Sequence, residues 1–232
     1  MIESKTIIQS TKWSAVSEVL SKIASPLANI VLARLLVPEV FGLIASFTVV
    51  VAFAEVFTDA GFQKFIVQHD FENKEQLYSY TTVAFWSNMI FSIAIWIGIF
   101  IFRAPIANFI GSSGYGLEVA ILSLLIPVHG LSSIQSALYR REFRFKQLVP
   151  IRITSSLVPL VVTIPCALII KNVWAIIIGN LAKELLTAVM LAFNSPWKPK
   201  LFYNFSLQQQ VFLEIHQPEN QLNKKAPEAV FY

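Results

Sequence analysis

The chain has 232 residues, of which 55% are hydrophobic and only 14% are charged. An ordinary soluble domain carries roughly 25% charged residues, so this composition and a mean hydropathy of +0.61 exclude a water-soluble globule. They equally exclude a disordered chain, which has too little to bury. The formal charge is +4 and there is one cysteine, Cys166, which rules out an internal disulfide and a cysteine zinc site.

A bilayer core of about 30 Å is crossed by about 20 apolar residues in a helix. Six stretches meet that length, at about 13–36, 41–62, 80–102, 117–139, 151–170 and 173–193. None alternates cleanly enough for a β-barrel. The sequence therefore predicts an all-α polytopic membrane protein, with six transmembrane helices filling residues 1–206 and a polar, patternless tail over 207–232. The tail reads either as a natural solvated extension or as the product of a shifted reading frame.

The first stretch is too long and too polar for a cleaved signal peptide and is read as a retained helix. Ser14, Glu18, Ser21, Lys22, Ser25 and Asn29 recur at three- and four-residue steps and so line one face. Glu18 precedes Lys22 by one turn, the favourable order for a local ion pair. Such a face is expected to point into the bundle or a water-filled cavity, because ionisable groups in a bilayer cost roughly 2.5–3.5 kcal/mol each.

The second stretch repeats this theme with Thr48, Glu55, Asp59 and Gln63. Glu55 and Asp59 are like charges one turn apart, so either a cation lies nearby or one of them is protonated. Lys22 and Lys183 are the candidate cations, and the pair is the best candidate for a proton or cation site. The alternative is that both carboxylates lie near the water interface and are solvated. In the fourth stretch His129, Ser132, Ser133 and Ser136 share a face, and the sixth carries Asn180, Lys183, Glu184 and Thr187.

Basic residues orient the chain. With the N-terminus in the cytoplasm, that side receives Lys5, Lys12, Lys64, Lys74, Arg140, Arg141, Arg144, Lys146, Lys198 and Lys200, against Arg34, Arg103 and Lys171 outside. The run Arg140, Arg141, Arg144 and Lys146 reads as a cytoplasmic anchor on anionic membrane lipid rather than a nucleic-acid site. The expected location is the cytoplasmic (inner) membrane. No P-loop, HExxH, GxSxG or GxGxxG motif occurs, and His69 has no second histidine at ligand spacing, so no enzyme activity, cofactor or metal is expected.

Several segments together resemble the polysaccharide transporter branch (colanic-acid and O-antigen flippases) of the MOP superfamily. They are Lys5-Thr6-Ile7 with Thr11 to Ala15, Val31 to Leu36 with Pro38 to Leu43, Phe57-Thr58-Asp59-Ala60-Gly61-Phe62, Phe85-Trp86-Ser87-Asn88, Leu138 to Phe145, and Asn172-Val173-Trp174-Ala175. Pro199 to Phe202 with Phe205-Ser206 closes the series, so the resemblance covers about residues 5–206. It implies the N-terminal lobe of a two-lobe transporter that moves undecaprenyl-diphosphate-linked oligosaccharide to the outer leaflet by alternating access, often ion-coupled. The implied partners are that lipid-linked oligosaccharide and a missing C-terminal lobe or a second copy. Arg34 and Asp59 fall in recognisable stretches of the family, whereas Glu18, Lys22, Asn29, Glu55 and Lys183 come from the polar faces alone. Two other readings stay open: half of a cation-coupled multidrug antiporter, and a non-transporting membrane scaffold in a polysaccharide assembly complex.

Overall fold

A computed structural model describes residues 26–59, 61–195 and 197–199. The expectations for Glu18, Lys22 and the tail lie outside these residues. The described chain is helical, with no strand among the described residues. In chain order the helices are α1 (Pro26–Leu35), α2 (Pro38–Asp59), α3 (Phe62–Gln68), α4 (Lys74–Ile101), α5 (Arg103–Phe109), α6 (Gly116–Leu122), α7 (Leu125–Arg141), α8 (Phe145–Val158), α9 (Ile164–Ile170) and α10 (Val173–Asn194). A π-helical segment, Pro159–Thr163, joins α8 to α9.

Five helical stretches among the described residues are long and apolar enough to cross a membrane: Pro38–Thr58, Lys74–Ile101, Gly116–Arg141, Phe145–Ile170 and Val173–Asn194. They correspond to the second through sixth predicted stretches. The first is described only from Pro26, as a ten-residue apolar helix. Side chains such as Val161 and Phe193 are 70% and 84% exposed. Apolar exposure on that scale suits lipid, and helices satisfy their own backbone polar groups there.

Local chemistry sets the boundaries. Pro38 and Glu39 open α2, where a missing N–H is harmless and a carboxylate meets the positive end of the helix dipole. The predicted second span runs to residue 62, but the helix stops at Asp59. Gly61 then takes a left-handed conformation, φ 83°, and a separate helix α3 begins at Phe62. At α4, Asn73 accepts from the Gln76 N–H at 2.8 Å, while Gln76 accepts from the Glu72 N–H at 2.7 Å, a reciprocal cap. That cap starts the helix six residues before the predicted third span. Asn172 likewise caps α10 through the Trp174 N–H at 2.9 Å.

Helix α7 occupies the centre, packing against α2, α3, α4, α8 and α10. One apolar cluster, including Leu32, Phe47, Ile99, Val119, Ile126 and Ile177, fills the end of the bundle opposite Arg140 and Arg141. A second, including Phe62, Ile66, Val83, Phe85, Ile134, Leu138 and Trp197, fills the basic end. Polar side chains interrupt the apolar packing of α4 and α7, whose Thr81, Ser87, Asn88, Ser92, Ser132, Ser133 and Gln135 are all buried.

Candidate functional site

A cavity of about 410 Å³ lies among α2, α4, α7 and the start of α3. Its lining includes Glu55 and Thr58 from α2, Gln63 from α3, Asn88 from α4, and His129, Gly130 and Ser133 from α7. At a rise of 1.5 Å per residue, Glu55 is about 6 Å from the basic end of α2, whereas His129 is about 18 Å from the end of α7 and Asn88 about 21 Å from the start of α4. The cavity therefore reaches from the basic end to the middle depth of a membrane-sized bundle. Glycine matters at its inner wall: a Cβ on Gly130 would come within 3.0 Å of Ser92 Oγ, so α4 and α7 approach closely there.

The inner wall is held by polar contacts that cross between helices. Asn88 Nδ2 donates to Ser133 Oγ at 2.8 Å. His129 Nδ1 lies 2.9 Å from Glu184 Oε1, and Ser132 Oγ donates to the same oxygen at 3.1 Å. An ionised carboxylate only accepts, so the imidazole Nδ1 is the donor. Glu184 thus ties α10 to α7 at two points, and Thr187 ties α10 to α8 through Ser155 Oγ at 2.8 Å. Serine, histidine and glutamate here do not form a nucleophile with its base. The one Ser132 hydroxyl proton is shared between the His129 carbonyl at 3.0 Å and the Glu184 carboxylate at 3.1 Å, and neither is the imidazole that would activate the oxygen. Among the described residues no three His, Cys, Asp or Glu side chains converge as a metal site would need.

The predicted residues are only partly brought together. Glu55 lines the cavity, with His129 and Glu184 in electrostatic reach. Asp59 is the last residue of α2, one turn beyond. Lys183 is partly buried on α10, next to Glu184. Asn29 and Arg34 are exposed on α1, whose buried positions are Ala28 and Leu32, and the other members of the predicted polar face lie outside the described residues.

The basic run divides. Arg141 donates to the Ile66, Val67 and His69 carbonyls at 2.9, 3.3 and 2.6 Å, and its guanidinium lies 4.6 Å from the Phe71 ring centre. It closes the C-terminal end of α3, where carbonyls lack helical partners. Arg140 contacts Gln63 and the Ser136 carbonyl, and Arg144 pairs with Glu142 at 2.8 Å. Lys146 is exposed.

A family described as polysaccharide biosynthesis protein matches residues 31–213. The chain is 26% identical over 211 residues to the succinoglycan biosynthesis transport protein ExoT of Rhizobium meliloti (strain 1021), covering 89% of this chain and 41% of that protein. It is 26% identical over 188 residues to an uncharacterized membrane protein in the cps region of Klebsiella pneumoniae, covering 80% of this chain and 38% of that one. It is 23% identical over 201 residues to the lipopolysaccharide biosynthesis protein WzxC of Escherichia coli (strain K12), covering 86% of this chain and 40% of that one. The chain thus spans about two fifths of the length of these curated relatives. No solved structure matches it.

Proposed function

Because the chain belongs to the polysaccharide biosynthesis protein family, we propose that it is one lobe of a transporter that carries a lipid-linked oligosaccharide across the cytoplasmic membrane. The observation that carries this reading is the cavity: a polar recess entering from one end of an apolar bundle and reaching its middle depth. A hydrophilic recess in a membrane bundle is costly unless something polar enters it. The names of two relatives, a succinoglycan biosynthesis transport protein and a lipopolysaccharide biosynthesis protein, agree with sugar-polymer traffic. The density of lysine and arginine at the cavity's end supports a cytoplasmic entrance and a multi-pass arrangement with the N-terminus inside.

One lobe presents one wall of a path. A second lobe, or a second copy of this chain, supplies the other, and rocking between the two gives alternating access. Among the described residues the cavity lining contains Glu55 and no lysine or arginine. It therefore suits sugar hydroxyls and a coupling cation or proton rather than a diphosphate. In this reading the diphosphate is held by basic groups elsewhere, with Lys22 and the second lobe as candidates, and Asp59 and Lys183 flank the cation path. The same acidic lining is what favours the multidrug antiporter reading, in which an organic cation takes the oligosaccharide's place.

The test is export of polymer in cells that depend on this chain. Glu55→Gln with Asp59→Asn is expected to lower export about tenfold or more, the scale of losing roughly 1.4 kcal/mol of binding or coupling, while membrane insertion stays normal. Unchanged export in the doubly substituted chain would remove these carboxylates from the path.

A further inference from the structure

The turn from α7 to α8 combines backbone strain with exposure. The Arg144 N–H donates to the Tyr139 carbonyl at 2.9 Å and the Phe143 N–H to the Arg140 carbonyl at 3.2 Å. These are the paired bonds of a left-handed helix terminus, a position usually given to glycine. Here it holds Phe143, at φ 53°. The residue is 59% exposed, and its ring meets the edge of the Phe145 ring at 6.2 Å and 71°. A strained backbone that presents an aromatic ring outward gains little from internal packing. Strain of this kind is retained where the side chain has work to do outside the fold.

The surrounding charges point to what the ring meets. Arg140 and Arg141 are turned onto α3, and Arg144 onto Glu142. Lys146 and Arg152 are exposed, and neither forms an ion pair among the described residues. Lys146 is in the first turn of α8 and Arg152 two turns into the helix, about 10 Å from its start. That is within the reach of an arginine that lays its stem along apolar surface and lifts its head group to the interface. We propose that this turn is a docking site for the head groups of anionic phospholipid in the leaflet at the basic end, with Phe143 seated at the interface and Lys146 and Arg152, about 120° apart around α8, each holding the phosphate of a separate lipid. The lipid contact thereby moves away from Arg140 and Arg141, which serve the fold. Aromatic rings favour the head-group level, and basic side chains beside them favour anionic lipid.

The full chain is purified in detergent, and its unfolding midpoint is followed on adding phosphatidylglycerol or phosphatidylcholine. Phosphatidylglycerol is expected to raise the midpoint more. Phe143→Gly is expected to raise the lipid-free midpoint, because glycine relieves the turn, and yet to lose most of the gain from phosphatidylglycerol. Lys146→Gln and Arg152→Gln are expected to leave the lipid-free midpoint in place and weaken phosphatidylglycerol affinity about fivefold for each charge removed. A lowered lipid-free midpoint in Phe143→Gly would make the ring a packing residue and overturn the proposal. So would an undiminished phosphatidylglycerol gain in Phe143→Gly or in the charge variants, an equal gain from phosphatidylcholine, or reproduction of the gain by inorganic phosphate.

Discussion

At the scale of single residues, the bond between His129 and Glu184 is the feature with most consequence. Both are polar positions that stand out in the sequence, but they lie 55 residues apart, and no local pattern pairs them. Only the packing of α7 on α10 does so. Glu184 Oε1 receives both His129 Nδ1 and Ser132 Oγ, so removing the carboxylate affects two donors. Hydrogen bonds to charged groups contribute about 1.5–3 kcal/mol, against about 1 kcal/mol for an ordinary one. The His129 side chain is 43% exposed, so the lower end applies. Glu184→Ala is therefore expected to destabilise the chain by about 1.5–2 kcal/mol. Ser132→Ala is expected to cost about 1 kcal/mol or less. Denaturant titration in mixed micelles measures both. Equal losses in the two variants would mean that the imidazole contributes nothing to the bridge.

At the scale of elements, the sixth predicted span sits at 173–193 and the helix at Val173–Asn194, because a long apolar run with an asparagine cap marks its own ends. Shorter features were less legible. The residues from 102 to 117 read as a connection, yet they contain α5. The fourth span is interrupted at Ser123 and Leu124, where α6 gives way to α7. The fifth contains a π-helical turn, in which the Ile164 N–H reaches the Pro159 carbonyl. Pro159 and Pro165 mark places where a helix can bend, but which irregular turn they produce depends on what packs against it. Here that neighbour is α10, through Gly179: a Cβ there would collide with the Thr163 hydroxyl and crowd its Cβ. Gly179→Ala is expected to destabilise by about 1–3 kcal/mol through overpacking. Adding Thr163→Ala should recover only part of that, since the hydroxyl goes but the Cβ, 2.8 Å away, remains. Wild-type stability in Gly179→Ala would show that α10 and the π turn separate freely.

At the scale of the molecule, composition alone is enough to place the chain in a membrane, because the number of apolar residues leaves no other way to cover its surface. The candidate site was legible only in part. Glu55 stands out as a carboxylate in an apolar run, and it does line the cavity. In the sequence, Asn88 belongs only to a family-like segment and Ser133 only to a polar helix face. Neither shows by itself that α4 and α7 meet there, which depends on the close approach at Gly130. The basic run was legible as charge, but not the inward turn of Arg141 onto three carbonyls.

The role proposed for the molecule is that of one lobe of a transporter carrying a lipid-linked oligosaccharide across the membrane. The most direct measurement is the leaflet distribution of that lipid in cells with and without the chain. Deletion is predicted to trap lipid-linked oligosaccharide in the cytoplasmic leaflet and stop polymer export, with both restored when the chain is supplied again. Unchanged leaflet distribution and normal export after deletion would contradict it.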